Sequence, residues 1–369
     1  MRKCKHRLRC PNCQSLNTKR KGNFQTKKGK KRNRWHCHNC KSSFTPYKEQ
    51  LNLNTCRLYF EKGCGYRETG RTFQIAPITA WNKTIPFGFN CKSPLEVSLE
   101  LKPKWSGFLL LDGDAINVLG KEESLLLGVD VYAQDIPVGF LVRQELKLHW
   151  VLILNALKIQ LGYPFKGIVS DGDPKIKGAV KEVTPDVPYQ ICIKHYEDFL
   201  RYILRYQFKH RRGMHREYER FIDEVHQMLY APNIEMSEEN LKRIINDPNF
   251  KRAGLADLID KLIRDFPYLI THFLHPGLPR TNSIIEGVIS RLDRRINPTN
   301  GFQYHKTAWA TIKMMIMRYR FKPFTDSRNK KNNHKAPLEL AGVDVSGIDW
   351  LKFSQRSSQP KNLLSLLEF

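Results

Sequence analysis

Two sets of residues in this 369-residue chain have types and spacings suited to chemistry. The first is Cys10-Pro11-Asn12-Cys13 followed, after 23 residues, by Cys37-His38-Asn39-Cys40. Each short turn sets its two sulfurs on one side, so four thiolates can close on one tetrahedral ion at Zn–S distances of about 2.3 Å. Closed four-cysteine sites in small basic modules are usually structural zinc, rather than iron–sulfur or redox pairs. Cys4, His6, His36 and His38 are spare ligands close by. The second set is acidic: Asp112, Asp171 and Glu286. Carboxylate oxygens on rigid elements are the ligands that Mg²⁺ or Mn²⁺ needs. Two such ions about 3.5 to 4 Å apart can activate an attacking oxygen and stabilise a leaving one in an in-line phosphodiester displacement, with no covalent nucleophile. Asp114 is a rival for Asp112, because residues i and i+2 of a strand share a face, and Asp173 rivals Asp171 in the same way. Taken singly each acid also has a plainer reading: Asp171-Gly172-Asp173 as a polar turn, Glu286 as a surface charge of a helix.

These residues need elements to hold them. Between the cysteine pairs, Thr18 to Phe24 and Arg34 to His36 read as short strands, with Phe24, Trp35 and Phe44 able to pack around a metal, so residues 1–48 form a zinc ribbon. Residues 49–90 alternate helix, glycine break at Gly63 and Gly65, helix, tight turn at Ile75-Ala76-Pro77, and a helix with Trp81 and Ile85 inward. That is the pattern of a helix-turn-helix, which leaves Thr79, Asn82 and Lys83 as candidates for DNA contact. Pro86 to Pro103 reads as a connector, with the linker proper at 91–106. Phe108 to Val118, Ser124 to Tyr132 and Ile136 to Gln144 are strands joined by short turns, hence an antiparallel meander. A helix over His149 to Leu161, a buried strand over Phe165 to Ser170, a helix over Ile176 to Val183 and a strand over Tyr189 to Ile193 follow.

The order βββαβαβ over 107–196 is that of an RNase H-like core, α/β in class. Residues 197–279 are charged and helically spaced, a helical insertion. The core resumes over 280–325 with an amphipathic helix from Asn282 to Ile296, on which Glu286 sits, and a second from Tyr304 to Tyr319. A mobile basic linker and a C-terminal segment fill 326–369. All three acids then lie at element ends on one edge of the sheet.

Composition limits what such a site acts on. The net charge is +26, from 62 Lys+Arg against 36 Asp+Glu. Dense basic runs at Lys19 to Arg34 and Arg328 to Lys335 suit contact with a polyanion. Hydrophobic residues at 41% supply a sizeable core, and the longest apolar runs fall far short of the ~18 to 20 residues that span a bilayer. No membrane partner is expected. Nine cysteines, four of them in the paired motifs, suit a reducing interior. The basic N-terminus without an apolar stretch suits a chain that stays where it is made.

Asp112-Gly113-Asp114, Ser170-Asp171-Gly172-Asp173, Gln190-Ile191-Cys192-Ile193-Lys194-His195 and Thr281-Asn282-Ser283-Ile284-Ile285-Glu286 together resemble the DDE transposases of the Mutator-like group of prokaryotic insertion sequences. The resemblance runs over about residues 107 to 353, and the ribbon plus helix-turn-helix front end is similar to that of several insertion-sequence transposases. It implies a metal-dependent recombinase of the prokaryotic cytoplasm and nucleoid that binds terminal inverted repeats and joins the freed 3′-hydroxyl to target DNA. It further implies a homodimer or larger synaptic complex. Asp112, Asp171 and Glu286 match the family's Mg²⁺ (or Mn²⁺) ligands, and Cys192 and His195 match its C-x2-H signature. Asp114, Asp173 and Asn282 are neighbours of that site. One departure is visible: no tryptophan lies between Trp150 and Trp309, so any stacking on a displaced base falls to Tyr202, Tyr206 or Phe208. Lys194, Arg201, Arg205, Lys209, Arg211 and Arg212 are candidates to line a DNA channel. The reading from another class is a domesticated DNA-binding regulator that keeps the core as scaffold; a stand-alone RNase H-like nuclease ranks behind both.

Overall fold

The computed structural model describes residues 10, 13, 15–25, 29, 31–45, 49–207, 215–299, 301–327 and 329–356. Cys4, His6, Pro11, Asn12, Phe208, Lys209, Arg211 and Arg212 lie outside them. An antiparallel sheet comes first, of β1 (Thr18–Gln25), β2 (Lys31–Cys37) and β3 (Ser43–Phe44). Three helices follow, α1 (Glu49–Lys62), α2 (Tyr66–Thr72) and α3 (Pro77–Phe89). The turn between α2 and α3 is tight enough that a Cβ on Gly70 would lie 2.6 Å from the Ile75 carbonyl oxygen. Pro86 does not end α3, as the connector reading had it. Its missing N–H leaves only the Asn82 carbonyl short of a partner, and Asn82 is on the exposed side of the helix where water can supply one.

Within 91–106, expected as a linker, the structure has a helix, α4 (Pro94–Leu101). Its start is built by a capping box: the Ser93 hydroxyl accepts from the Glu96 N–H, and the Glu96 carboxylate accepts from the Ser93 N–H at 2.6 Å. Pro94 stands at the first helical position, where a missing N–H costs nothing.

The central sheet has five strands in the order β6-β5-β4-β7-β8. The meander is β4 (Phe108–Val118), β5 (Lys121–Asp130) and β6 (Val138–Val142), antiparallel throughout. A crossover through α5 (Lys147–Asn155), prolonged by one π-turn over Ala156–Gln160, brings β7 (Gly167–Ser170) parallel to β4 on its other side. A second crossover, α6 (Pro174–Val183), adds β8 (Tyr189–Ile191) parallel to β7. Ile193, expected to end that strand, instead opens α7 (Ile193–Gln207). The helices α8 (His215–Leu229), α9 (Ile234–Asn246), α10 (Pro248–Arg252), α11 (Ala256–Leu269) and α12 (Thr271–Leu274) follow, with α11 and α12 packed against β8. Then come α13 (Ser283–Ile296), lying on β4, and α14 (His305–Phe321), lying on α3 and α13. Beyond α14, in the segment expected as a mobile linker, a 3₁₀ turn covers Lys330–Asn332 and an isolated bridge joins Phe324 to Asn333. The short helices α15 (Pro337–Leu340) and α16 (Trp350–Phe353) close the described chain.

The molecule is thus mixed α/β with one continuous core around the five-stranded sheet and a separate small one in the N-terminal sheet, where Cys10, Cys37, Phe44 and Trp35 meet. Among the described residues no helix is long and apolar enough to cross a membrane. A buried ion pair ties the elements behind the sheet together. Arg320 of α14 and Asp135, both wholly buried, meet at 2.7 Å, and Arg320 also donates to the Pro94 carbonyl and the Ser98 hydroxyl of α4.

Candidate metal centre and acidic cleft

The four cysteines converge. Sγ atoms of Cys10 and Cys40 lie 3.5 Å apart and those of Cys13 and Cys37 3.4 Å apart, and all four lie within 4.8 Å of one another. The two turns are built alike: the Cys10 N–H donates to the Ser15 carbonyl and the Cys37 N–H to the Ser42 carbonyl, each at 2.9 Å. Such a cluster can hold a zinc ion. Burial, with the neighbouring thiols, pushes the Cys13 thiol up to about 12, against the lowering effect of the Ser15 backbone. The Cys40 thiol also feels burial, but the Ser42 hydroxyl and N–H bring it down to about 6. His36 and His38 stand outside the group, their rings in edge contact with each other.

The acidic residues gather at one edge of the central sheet, and strand register explains how. Leu110 of β4 pairs with Val169 of β7; two residues further along each strand stand Asp112 and Asp171. Asp112 lies within β4, whereas Asp171 stands just past the end of β7, ahead of α6. Asp112 accepts a hydrogen bond from the Asn282 side-chain amide at 3.1 Å, and Asn282 is the residue before α13, which carries Glu286 in its first turn. Burial first, and then the charge of Asp171, push the Asp112 carboxyl up to about 7. Burial also raises Asp171, partly offset by the Asp173 N–H. These acids are close enough to oppose one another's ionisation, which is what a cation between them would relieve.

The rival positions separate. Asp173 caps α6, its carboxylate accepting from the Lys175 N–H at 2.6 Å. Asp114 stays in the cleft but faces Asp293 rather than Asp171; burial and that neighbour push it up to about 7. Asp293 was missed in the sequence, although it follows Glu286 by seven residues, two helical turns, and so shares its face. A cavity of about 490 Å³ runs along that face, lined by Asp112, Asp114, His195, Glu286, Asp293 and Arg294 among others.

Cys192 and His195 join this arrangement from the other side. The wholly buried Cys192 sulfur accepts the Asn282 N–H at 3.2 Å, which fastens the end of β8 to the start of α13. His195 Nε2 lies 3.4 Å from a Glu286 oxygen, an ionic approach without the alignment of a hydrogen bond, and its Nδ1 is buried without a hydrogen-bond partner. The Cys192 sulfur beside it, followed by the carboxylates of Asp112 and Glu286, pushes the imidazole up to about 9 against the opposing effect of burial.

The expected DNA contacts fare unequally. Lys194 is turned onto Glu286 at 2.8 Å, and Arg201 onto Glu197 at 2.6 Å; Arg205 is exposed. Asn82 is exposed, Thr79 half-buried, and Lys83 donates to Asn52 at 2.8 Å. Tyr202 and Tyr206 are exposed with their rings 4.6 Å apart, and Tyr202 and Phe199 border a second cavity of about 560 Å³ beside Asp171.

Among the described residues, the four cysteines alone form a group of three or more His, Cys, Asp or Glu ligands all within 4.8 Å of one another. Asp112 and Glu286 line the first cavity and Asp171 the second, with His195 bordering both.

No family model and no curated protein matches this chain. A chain in the cryo-EM structure of a simian T-cell lymphotropic virus intasome in complex with PP2A regulatory subunit B56 gamma is similar over 35% of this chain, at 12% identity and a TM-score of 0.18. The match spans about half of that solved chain, 49% of its length, and is too slight to bear on fold or function.

Proposed function

We propose that the protein is a DNA transposase of DDE type, in which an RNase H-like core cleaves phosphodiester bonds at transposon ends and transfers the freed strand to target DNA. The observation that carries this reading is that Asp112 of β4 and Glu286 of α13 line one cavity and Asp171, just past β7, the next, with His195 bordering both, and that burial and then the charge of Asp171 push Asp112 up to about 7. The meander followed by two right-order crossovers supports the core assignment. The net charge of +26 supports a polyanionic substrate, and the cysteine cluster and the helices α1 to α3 suit a zinc ribbon and a helix-turn-helix that select the terminal repeats. Acting on DNA would place the chain at the prokaryotic nucleoid, as a homodimer or larger assembly that holds two ends together.

Within that reading each side chain has a task. Asp112, Asp171 and Glu286 would hold Mg²⁺ or Mn²⁺, which when bound supplies activation of the attacking oxygen and charge stabilisation for the leaving one. Asn282 keeps Asp112 aimed into the cleft, and Cys192 fixes the start of α13 so that Glu286 faces it. His195 brings a protonated imidazole next to Glu286, a positive group on the wall where a scissile phosphate would lie.

A second reading, a transposase-derived DNA-binding regulator, draws on the Lys194 ammonium that already neutralises Glu286. Cleavage of labelled duplex carrying the element's own ends, with Mg²⁺ or Mn²⁺, separates the two. Transposition chemistry requires end-specific nicking that Asp171→Asn and Glu286→Gln each lower by ~10³-fold, several kcal/mol of lost transition-state stabilisation, while DNA binding persists. Tight end-specific binding without nicking under either metal moves the protein to the regulator class.

A further inference from the structure

A third concave site lies at the opposite end of α13 from Glu286. There the C-terminus of α1, the last turns of α13 and α14 and the segment after α14 enclose a cavity of about 520 Å³. Lys62, Arg291, Arg294, Arg295, Arg318 and Lys322 line it. Among the described residues none of these six forms an ion pair. The two carboxylates on its rim are engaged elsewhere: Glu61 accepts from the Trp350 indole at 2.9 Å and lies 4.0 Å from Arg57, and Asp326 pairs with Lys330 at 3.1 Å.

Part of this cluster has a structural task. Arg295 donates to the Tyr59 and Phe60 carbonyls at 2.6 and 2.8 Å, and Arg318 to the Glu61 carbonyl at 2.6 Å, so both close the C-terminus of α1. Gly63 makes room for this, since a Cβ there would lie 2.3 Å from the Arg295 guanidinium. Helix C-termini favour cations, but that preference does not explain why Arg294, Lys322 and Lys62 are gathered on the same hollow, none of them in an ion pair. Burial and the neighbouring guanidiniums lower the pKa of both Arg318 and Lys322, the Glu61 charge offsetting only part of this at Arg318, so the cations repel one another.

We infer that this cleft is a phosphate-binding site that grips the backbone of double-stranded DNA. Arg294 lines both this cavity and the acidic cleft. Along α13 it follows Glu286 by eight residues, about 12 Å at 1.5 Å per residue, so a duplex engaged at the acids would meet the cleft within a few phosphates. The inference deepens the transposase reading and rests on it for the identity of the polyanion.

The test is anisotropy of a fluorescein-labelled duplex with the full-length protein, without added divalent cation, across about 50 to 200 mM salt. The variant pairs Arg294→Gln with Lys322→Gln and leaves Arg295 and Arg318, which hold α1, in place. A control pairs Lys242→Gln with Lys251→Gln, exposed lysines of α9 and α10, and removes the same charge. The cleft variant is expected to melt like the native protein, to bind at least about tenfold more weakly and to lose about 1.8 from the slope of log K against log salt, near 0.9 per phosphate contact. An unchanged slope, or an equal loss in the control, overturns the cleft and leaves the strand-transfer chemistry standing. A native chain that binds no duplex at the lowest salt overturns both.

Discussion

Asp112 shows how one residue's surroundings fix a testable pH dependence. Its carboxyl and that of Asp114 are held up at about 7 in the folded chain, against about 3.9 for an unfolded aspartate. Folding therefore binds a proton there more tightly, so the stability this contributes is present below about pH 4 and is lost as pH rises through about 7. Above that, ionised carboxylates repel one another across the cleft, and a divalent cation has most to offer. Excess Mg²⁺ should raise the melting temperature more at about pH 8 than at about pH 5.5, where protons compete for the same oxygens. Asp112→Asn should lessen the pH dependence, leaving the part that Asp114 contributes, and remove most of the Mg²⁺ shift; a shift that is the same at both pH values would show that the ion binds elsewhere. The acids stand out in the sequence because they sit on or beside recognisable elements, although Asp112 lies within β4 and not at its end. Their fastening could not: Asn282 and Asp112 are 170 residues apart, and nothing local in Lys194 tells that it will turn onto Glu286.

At the scale of elements the sequence is readable where pattern and periodicity agree. β4 spans the expected Phe108 to Val118 because a continuous buried run, Leu109 to Leu111, passes into alternation with Ile116 and Val118 buried, all of it paired with β5. α4 is hidden for a different reason: Pro94 reads as punctuation, whereas Ser93-Pro94-Leu95-Glu96 is a helix start whose capping box forms in full. What keeps α4 against the sheet is the buried pair of Arg320 and Asp135, with Trp105 donating to the same carboxylate at 3.1 Å. A charged pair without solvent is invisible to hydrophobic patterning, which places Arg320 on a surface. Removing one partner strands the other charge inside, so Arg320→Met should cost about 3 to 5 kcal/mol, measured from the denaturant midpoint. Adding Asp135→Leu to that variant should restore part of the loss, because no buried charge then remains; only part, since Trp105 loses its acceptor. A loss below about 1 kcal/mol for Arg320→Met would mean that water reaches the pair and that α4 is held by apolar contacts alone.

On the scale of the whole molecule, the two hydrophobic cores differ greatly in what they can support. The large one runs from α1 through the central sheet to α16, whereas among the described residues the N-terminal sheet buries little besides Cys10, Cys37 and Phe44, with Trp35 against them. A core so small rarely holds a fold without a disulfide or a metal, and its four thiols lie unbridged within 4.8 Å of one another. Metal binding and folding of β1 to β3 should then be one event, independent of the rest of the chain. Elemental analysis should give one zinc per chain, lost in Cys37→Ser. Hydrogen exchange should follow the loss: amides of β1 and β2 should exchange by orders of magnitude faster after substitution or chelation, while those of β4 and β5 keep their protection. DNA affinity should fall as well, since the exposed basic side chains of Lys19, Arg20, Lys31 and Arg32 are held in a fixed array only by that sheet. If β4 and β5 lose protection together with β1 and β2, the two cores are energetically one. If β1 and β2 stay protected without the metal, the four cysteines do not hold the sheet together and their convergence has another cause.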